Sequence, residues 1–391
     1  MKRWRRLLRS ALRLLGGLLA LWALWLLRVA TLELPPPRTP DGSAAARGAL
    51  HVHTTRSDGR APVEEVARHA REAGLDFIVL ADHNVTPDPA AEQEGVLVIP
   101  GVELSTSAGH ILAYGGGEVA GWPLRRDDPV GAARASGSLV SLSHPVNLRR
   151  PWEGPFEGID AMEVLSADSA YRVALRSPLT LLTAVLSYPA SPDVAVLHLL
   201  DGVDEARERF HRALAEGGLQ QGFCGHDAHG LPGYPPVFRV LGTHLAPGAL
   251  AGDEAEVRAA SVIEALREGR FFCAVDGLAD ASGFVLDTTG EEIVARLGAG
   301  VPAGARARLL LFRDGVEVAA VEGSEVRAAS QPGRWHAEVE LARPWLLGAR
   351  RFLWILSGTS LVPVEPPVDD GSTGEAVDVD VDVNVDGGEP G

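Results

Sequence analysis

The sequence predicts an α/β fold on parallel strands with a smaller all-β unit behind it. Three observations point there. From Gly48 onward short apolar runs alternate with helical stretches; seven such runs precede residue 279, close to a barrel; after about Ala279 alternating strands between Gly-rich turns take over. At 391 residues and 46% apolar content the chain has room for both units.

Residues 1–33 are predicted to be a membrane anchor or signal segment. Lys2, Arg3, Arg5, Arg6, Arg9 and Arg13 precede an uncharged apolar run from Leu14 to Leu27, closed by Arg28. Its 14 residues suit a signal-peptide core and are short for a spanning helix, but flanking arginines snorkel and Trp22 and Trp25 suit an interface. No small-x-small cleavage site follows, so an uncleaved anchor is expected, with the basic end cytoplasmic and the rest outside. Residues 34–46, with Pro35, Pro36, Pro37 and Pro40, form a semi-rigid spacer.

Residues 47–280 carry the predicted strands Ala49–Val52, Phe77–Ala81, Leu97–Glu103, Ile111–Tyr114, Leu139–Ser143, Ala161–Leu165 and Gly222–Gly225. Between the first two, Val63, Val66 and Ala70 share a helix face that Gly74 ends. A helical insert, 167–221, follows the sixth strand. It holds two apolar stretches, Leu179–Leu186 and Val194–Leu200, then a helix near 203–216 stopped by Gly217 and Gly218. Residues 281–365 are predicted to be a β-sandwich-like domain, with Asp314-Gly315 as a hairpin turn. Residues 366–391 form an acidic tail outside the fold.

The net charge of -16 is concentrated at that end, where residues 365–391 hold nine acids and no Lys or Arg. Outside the extreme amino terminus there is no basic patch, so no nucleic-acid-binding surface is expected. The two cysteines, Cys224 and Cys273, have neither CxxC nor framework spacing. Any metal is therefore held by nitrogen and oxygen.

Such donors recur where strands end. His51-Val-His53, Asp82-His83 and Asp227-Ala-His229 lie at or just past apolar runs, with Glu103 and His144 in the same setting and His110 opening a strand. In parallel barrels this end builds active sites. Parity puts His51 with His53, and Asp227 with His229, on one face, and turns Cys224 and His226 away. Imidazole and carboxylate suit divalent Mn, Fe or Zn, which activate water, so no Ser or Cys nucleophile is needed.

These motifs resemble the polymerase and histidinol phosphatase (PHP) domain, in its membrane-exported branch of CehA-like metallohydrolases. The resemblance covers roughly Ala46 to Gly277. It rests on five ordered motifs: His51-Val-His53 with Ser57-Asp58-Gly59; Asp82-His83; Gly101-Val-Glu103 with Gly109-His110; Ser143-His144-Pro145; and Asp227-Ala-His229-Gly230. It implies a distorted seven-stranded (β/α) PHP barrel binding two to three divalent ions. His51, His53, Glu103 and Asp227 would hold one. Glu103, as a bridging carboxylate, with His110 and His144 would hold a second, and Asp58, His83 and His229 a third. The catalytic group would be a metal-activated hydroxide held by Glu103 and Asp227.

The expected activity is that of a phosphoesterase on a small-molecule phosphomonoester or phosphodiester. Arg172, Arg149 and Arg150 are the cations placed to receive its phosphate. An ester or amide hydrolase of the same fold is the second reading, and an anchored binding protein with a vestigial barrel the third. The insert overhangs the metal mouth as packed helices, a lid or a membrane-facing surface. His69, His198, His211 and His336 are expected to be surface or structural histidines.

Overall fold

In a computed structural model, residues 2–32, 34–35, 46–117, 128–200, 203–298 and 300–363 are described. Most of the proline-rich spacer and all of the acidic tail from residue 366 lie outside them. The amino-terminal helix runs from Lys2 to Ala30 and is long and apolar enough to cross a membrane. Most of its leucines are exposed; its carboxyl-terminal end docks on the body of the protein through Trp22, Trp25, Arg28 and Val29.

The body is mixed α/β. One five-stranded sheet has the order Gly101–Thr106, Gly109–Tyr114, Leu139–Leu142, Ala161–Ser166, Gln221–Gly225; its first two pairings are antiparallel and its last two parallel. A larger sheet contains Arg47–Val52, flanked by Phe77–Leu80 in parallel and Gly242–Leu245 antiparallel. Its strands bury Leu50, Phe77, Ile78 and Leu97. The helix Val63–Glu72 lies over them and buries Val66, Ala67 and Ala70; the chain then turns at Gly74, whose φ of 75° suits glycine.

The predicted strand Leu97–Glu103 is broken. Val96–Ile99 belongs to the larger sheet and Gly101–Thr106 to the smaller one. Pro100 lies between them with no N–H to continue a ladder, so the chain leaves one sheet there and enters the other. The two sheets meet again by isolated parallel bridges, His83 to Glu103 and Val52 to Ala228. Backbone hydrogen bonds from Asn84 N to Glu103 O (2.9 Å) and from His53 N to Ala228 O (3.0 Å) reinforce these seams. Cys224 and Cys273, 49 residues apart, are joined as a disulfide with their Cα atoms 5.7 Å apart, which ties the smaller sheet to the larger. Sequence spacing carried no sign of that pairing.

The carboxyl-terminal strands do not form a sheet of their own. Ala349–Ser357 pairs antiparallel with Phe271–Ala274, so the larger sheet runs on through Gly333–Pro344, Arg306–Arg313 and Val316–Glu322. Only Val285–Asp287, Glu292–Arg296 and Glu325–Ala329 make a separate three-stranded sheet. The edge of Phe271–Ala274 offers unpaired backbone groups that another strand satisfies, so the sheet has no break at residue 280. Among the described residues the insert forms four helices: Ala167–Ala174, Pro178–Ser187, Pro192–Leu199 and Asp204–Ala215.

Candidate metal centre

The nine residues singled out by the motifs lie on one rim, at the two seams where the sheets meet. Strand pleating alone does not bring them there. His51 has φ of 64°, Asp227 44° and His144 31°, the left-handed region that non-glycine residues seldom adopt and that clusters at functional sites. His53, Asp227 and His229 also lie beyond the last residues of their strands. Local backbone turns, rather than strand parity, aim these side chains.

Glu103 is the hub. Its Oε1 lies 2.8 Å from His110 Nδ1 and 3.1 Å from His144 Nε2. Its Oε2 lies 3.3 Å from His51 Nε2, 3.4 Å from His53 Nε2 and 3.2 Å from His83 Nδ1. Asp227 Oδ1 joins His51 and His53 at 3.2 and 3.1 Å. The antiparallel hairpin of Gly101–Thr106 and Gly109–Tyr114 returns His110 to the level of Glu103. Asp58 faces His229 Nε2 at 3.2 Å and His83 Nε2 at 3.7 Å, with His53 Nδ1 at 3.5 Å. Asp58 is 55% exposed whereas His51 and His53 are buried, so the centre opens to solvent on the side of Asp58, His83 and His229.

Burial opposes protonation of His51, yet Asp227, Glu163 and Glu103 outweigh it and raise its pKa well above 6.5. His53 is raised to about 9 against the same burial by the neighbouring Asp227 and Glu103 carboxylates, and His144 to about 9 by Glu103. Burial would push Glu103 and Asp227 up, but the surrounding imidazoles hold both carboxyls well below the usual range. For His83 burial prevails, and its pKa falls. The centre thus concentrates negative charge that asks for a cation.

The donor set fits a divalent one. His53 Nε2 and His83 Nδ1 are buried and face carboxylate oxygens at 3.1–3.4 Å without forming a hydrogen bond. Ligands around a shared ion face one another in this way. Among the described residues, the candidate ion groupings built on these ligands include His51, His53, Glu103 and Asp227; His53, Asp58, His83 and His229; and His83, Glu103 and His110. His144 touches Glu103 and also groups with Asp168 and Asp227.

Sequence reasoning missed Glu163 and Asp168. Glu163 Oε1 lies 2.6 Å from His51 Nδ1, and its Oε2 accepts from the backbone N–H of His144 at 2.7 Å. One carboxylate therefore orients the ring of His51, as partners of metal-bound imidazoles do, and fixes the backbone at His144. A Cβ on Gly225 would stand 1.9 Å from that carboxylate, so any other residue there displaces it. The signal in the sequence was a lone acid inside an apolar strand, Ala161–Ser166, where an unpaired charge is costly. Asp168 opens the first insert helix, and burial followed by the nearby Asp227 charge raises its pKa.

Asp82 belongs to none of these groupings. It accepts from Thr54 N, Thr54 Oγ1 and Ser57 Oγ at 2.7–2.8 Å and so holds the loop that presents Asp58. Among the arginines, Arg150 Nη1 reaches His110 Nε2 at 3.2 Å, while Arg172 is bound to Asp168 at 2.6 Å. The Arg149 guanidinium makes no hydrogen bond among the described residues; only its backbone N–H bonds, to Asn147. His226 is buried between the Leu50 and Leu241 carbonyls, and burial lowers its pKa to about 4.

No family model and no curated protein matches the chain. Among solved structures, it is similar to a two-domain protein from Bacteroides vulgatus containing a PHP-like metal-dependent phosphoesterase. The TM-score is 0.40 at 14% identity, covering 83% of this chain and 100% of that one. An amidohydrolase from Chromobacterium violaceum gives a TM-score of 0.30 at 15% identity, over 46% of this chain and 87% of that one. A metal-dependent phosphoesterase from Bifidobacterium adolescentis gives 0.32 at 15% identity, over 47% and 87%.

Proposed function

We propose that the protein is a PHP-type, metal-dependent hydrolase that cleaves a phosphomonoester or phosphodiester on the outer side of a membrane in which Lys2–Ala30 is inserted. The observation that carries this reading is the gathering of five histidines within 3.4 Å of the single buried carboxylate Glu103. Two to three Mn, Fe or Zn ions match these nitrogen and oxygen donors, with the ligand sets implied by the family resemblance. When bound, such ions lower the pKa of water and offset charge on the attacked group.

The chain's own residues do the rest. Glu103 and Asp227 hold the positive charge in place, and Glu163 fixes the ring of His51 and the backbone of His144. Asp82 fixes the loop of Asp58. Substrate approaches from the exposed side of Asp58, His83 and His229. Arg150, at the rim, supplies the cation for an anionic phosphoryl group, and this favours a phosphoester over a neutral ester. Arg172 is instead paired with Asp168, one turn away on the same helix Ala167–Ala174.

The bridges between the two sheets support a distorted seven-stranded barrel, with Val96–Ile99 and Gly101–Thr106 counted as one broken strand. The Cys224–Cys273 disulfide supports an oxidising compartment, outside the cytoplasm.

The test is elemental analysis of the full chain in detergent, followed by turnover of para-nitrophenyl phosphate and bis-para-nitrophenyl phosphate with added Mn. Two or more ions per chain and turnover of either compound are expected. Metal-loaded protein that hydrolyses aryl esters but no phosphoester in a broad panel would overturn the phosphoesterase reading.

A further inference from the structure

The insert helix Pro178–Ser187 presents apolar side chains to solvent. Leu179, Leu182 and Val185, spaced by three, are 62, 53 and 60% exposed. No charged residue occurs from Ser177 to Pro192. Tyr171 and Leu175, on and just after the preceding helix, and Leu231, on the loop that follows His229, are exposed as well. Tyr188 OH donates to Pro232 O at 2.6 Å and so ties the end of the apolar helix to that loop. Contiguous exposed apolar surface on a protein body marks a site of association.

The amino-terminal helix indicates what covers it. Trp22 Nε1 donates to Leu186 O (3.1 Å) and Trp25 Nε1 to Ser187 Oγ (2.9 Å), so the two helices are joined where the longer one meets the body. Arg28, closing the apolar run, donates to Trp345 O at 2.6 Å and marks the polar boundary. Trp22 lies six residues further into the run, about 9 Å deeper at 1.5 Å per residue. Helices that lie in the plane of a bilayer sit roughly 5–10 Å below its polar surface. The attachment thus sets the charge-free helix at interfacial depth, beside tryptophans that favour that layer.

We infer that Pro178–Ser187 is a membrane-docking helix whose face of Leu179, Leu182 and Val185 lies in the lipid interface. Through Tyr188 and the loop of Leu231 it holds the candidate metal centre at the bilayer surface. The inference rests on the reading of Lys2–Ala30 as a membrane-crossing helix, and its partner is the lipid itself. A second copy of the chain or another protein is the competing occupant.

The test uses the full chain in phosphatidylcholine and phosphatidylglycerol vesicles, with a nitrobenzoxadiazole label on Leu182→Cys. Leu18→Cys reports insertion of the amino-terminal helix, and Leu361→Cys, on an exposed strand far along the chain, reports the water phase. Shallow spin-labelled lipid is expected to quench position 182 at least twofold, deep spin-labelled lipid to quench position 18, and neither to quench position 361. Quenching at 18 with none at 182 would overturn docking. So would blue-shifted emission at 182 that persists in detergent micelles and depends on protein concentration, which would assign the face to a second copy. Absence of quenching at 18 would overturn the membrane-crossing premise and the inference with it. Failure to turn over any phosphoester, with 182 quenched, would count against the proposed reaction alone.

Discussion

Around Glu103 five imidazoles gather with no guanidinium on the carboxylate, whereas Glu338 shares its oxygens between Arg207 and His211. Both clusters are buried, and both combine histidine with glutamate. At Glu338, on the strand Gly333–Pro344, Arg207 and His211 come from the helix Asp204–Ala215, so the cluster pins the insert to the carboxyl-terminal strands. Burial lowers the pKa of His336, whose ring stacks on Phe312 with centroids 4.8 Å apart. Composition is therefore a poor guide to a metal centre. Arg207 already neutralises Glu338, and a divalent ion there would add like charge to like. Among the described residues no Arg or Lys forms an ion pair with Glu103, Glu163 or Asp227.

The largest expected effect is on the rim. Glu103→Gln should remove at least one ion per chain and slow phosphoester turnover by roughly 1000-fold, the size of several kcal/mol of lost charge stabilisation. Elemental analysis and steady-state rates measure both; full metal content with unchanged rate would erase the contrast between the clusters.

Glu338→Gln should leave metal content unchanged but destabilise the fold by about 2 kcal/mol, because Arg207 loses its buried partner and keeps only Glu340, 3.0 Å away. Denaturant unfolding measures this, and loss of one ion per chain would place a metal at this cluster too. The effect has a defined pH sense. Burial would raise the Glu338 pKa, but His211, His336 and Arg207 hold it well below the ordinary 4.5. Its contribution is therefore full above about pH 4.5 and lost as pH falls through the depressed value. The stability gap between parent and variant should narrow only in strong acid.

Glu163→Gln should weaken metal binding by about 10- to 100-fold while leaving the nine rim residues in place. A competitive chelator titration reads this, and unchanged affinity would remove Glu163 from the centre. The smallest effect is expected for Arg150→Ala, a rise in KM of roughly 10-fold for a phosphoester with little change in metal content. A neutral aryl ester should show no such rise.

The rim was legible in the sequence because its residues fall in short motifs at the ends of apolar runs, where a few residues of local chain carry a whole message. Glu163 was not, since its meaning lies in two histidines on other strands and in a glycine on a third. The Cys224–Cys273 pairing failed to appear for the same reason. Pro100 was in plain view, but its effect depends on a second sheet waiting to accept the chain. The continuity of the larger sheet past residue 280 was hidden because an alternating strand does not encode which edge it will join.

Gly225 shows what this implies for reading variants. It binds nothing, adopts an ordinary backbone angle and stands two residues before Asp227. Yet every other amino acid would push Glu163 off His51 and His144. In a saturation scan it should behave as an all-or-none position, as intolerant as a ligand itself. A search for donors alone would pass over it, although part of the centre's precision is stored in a missing methyl group.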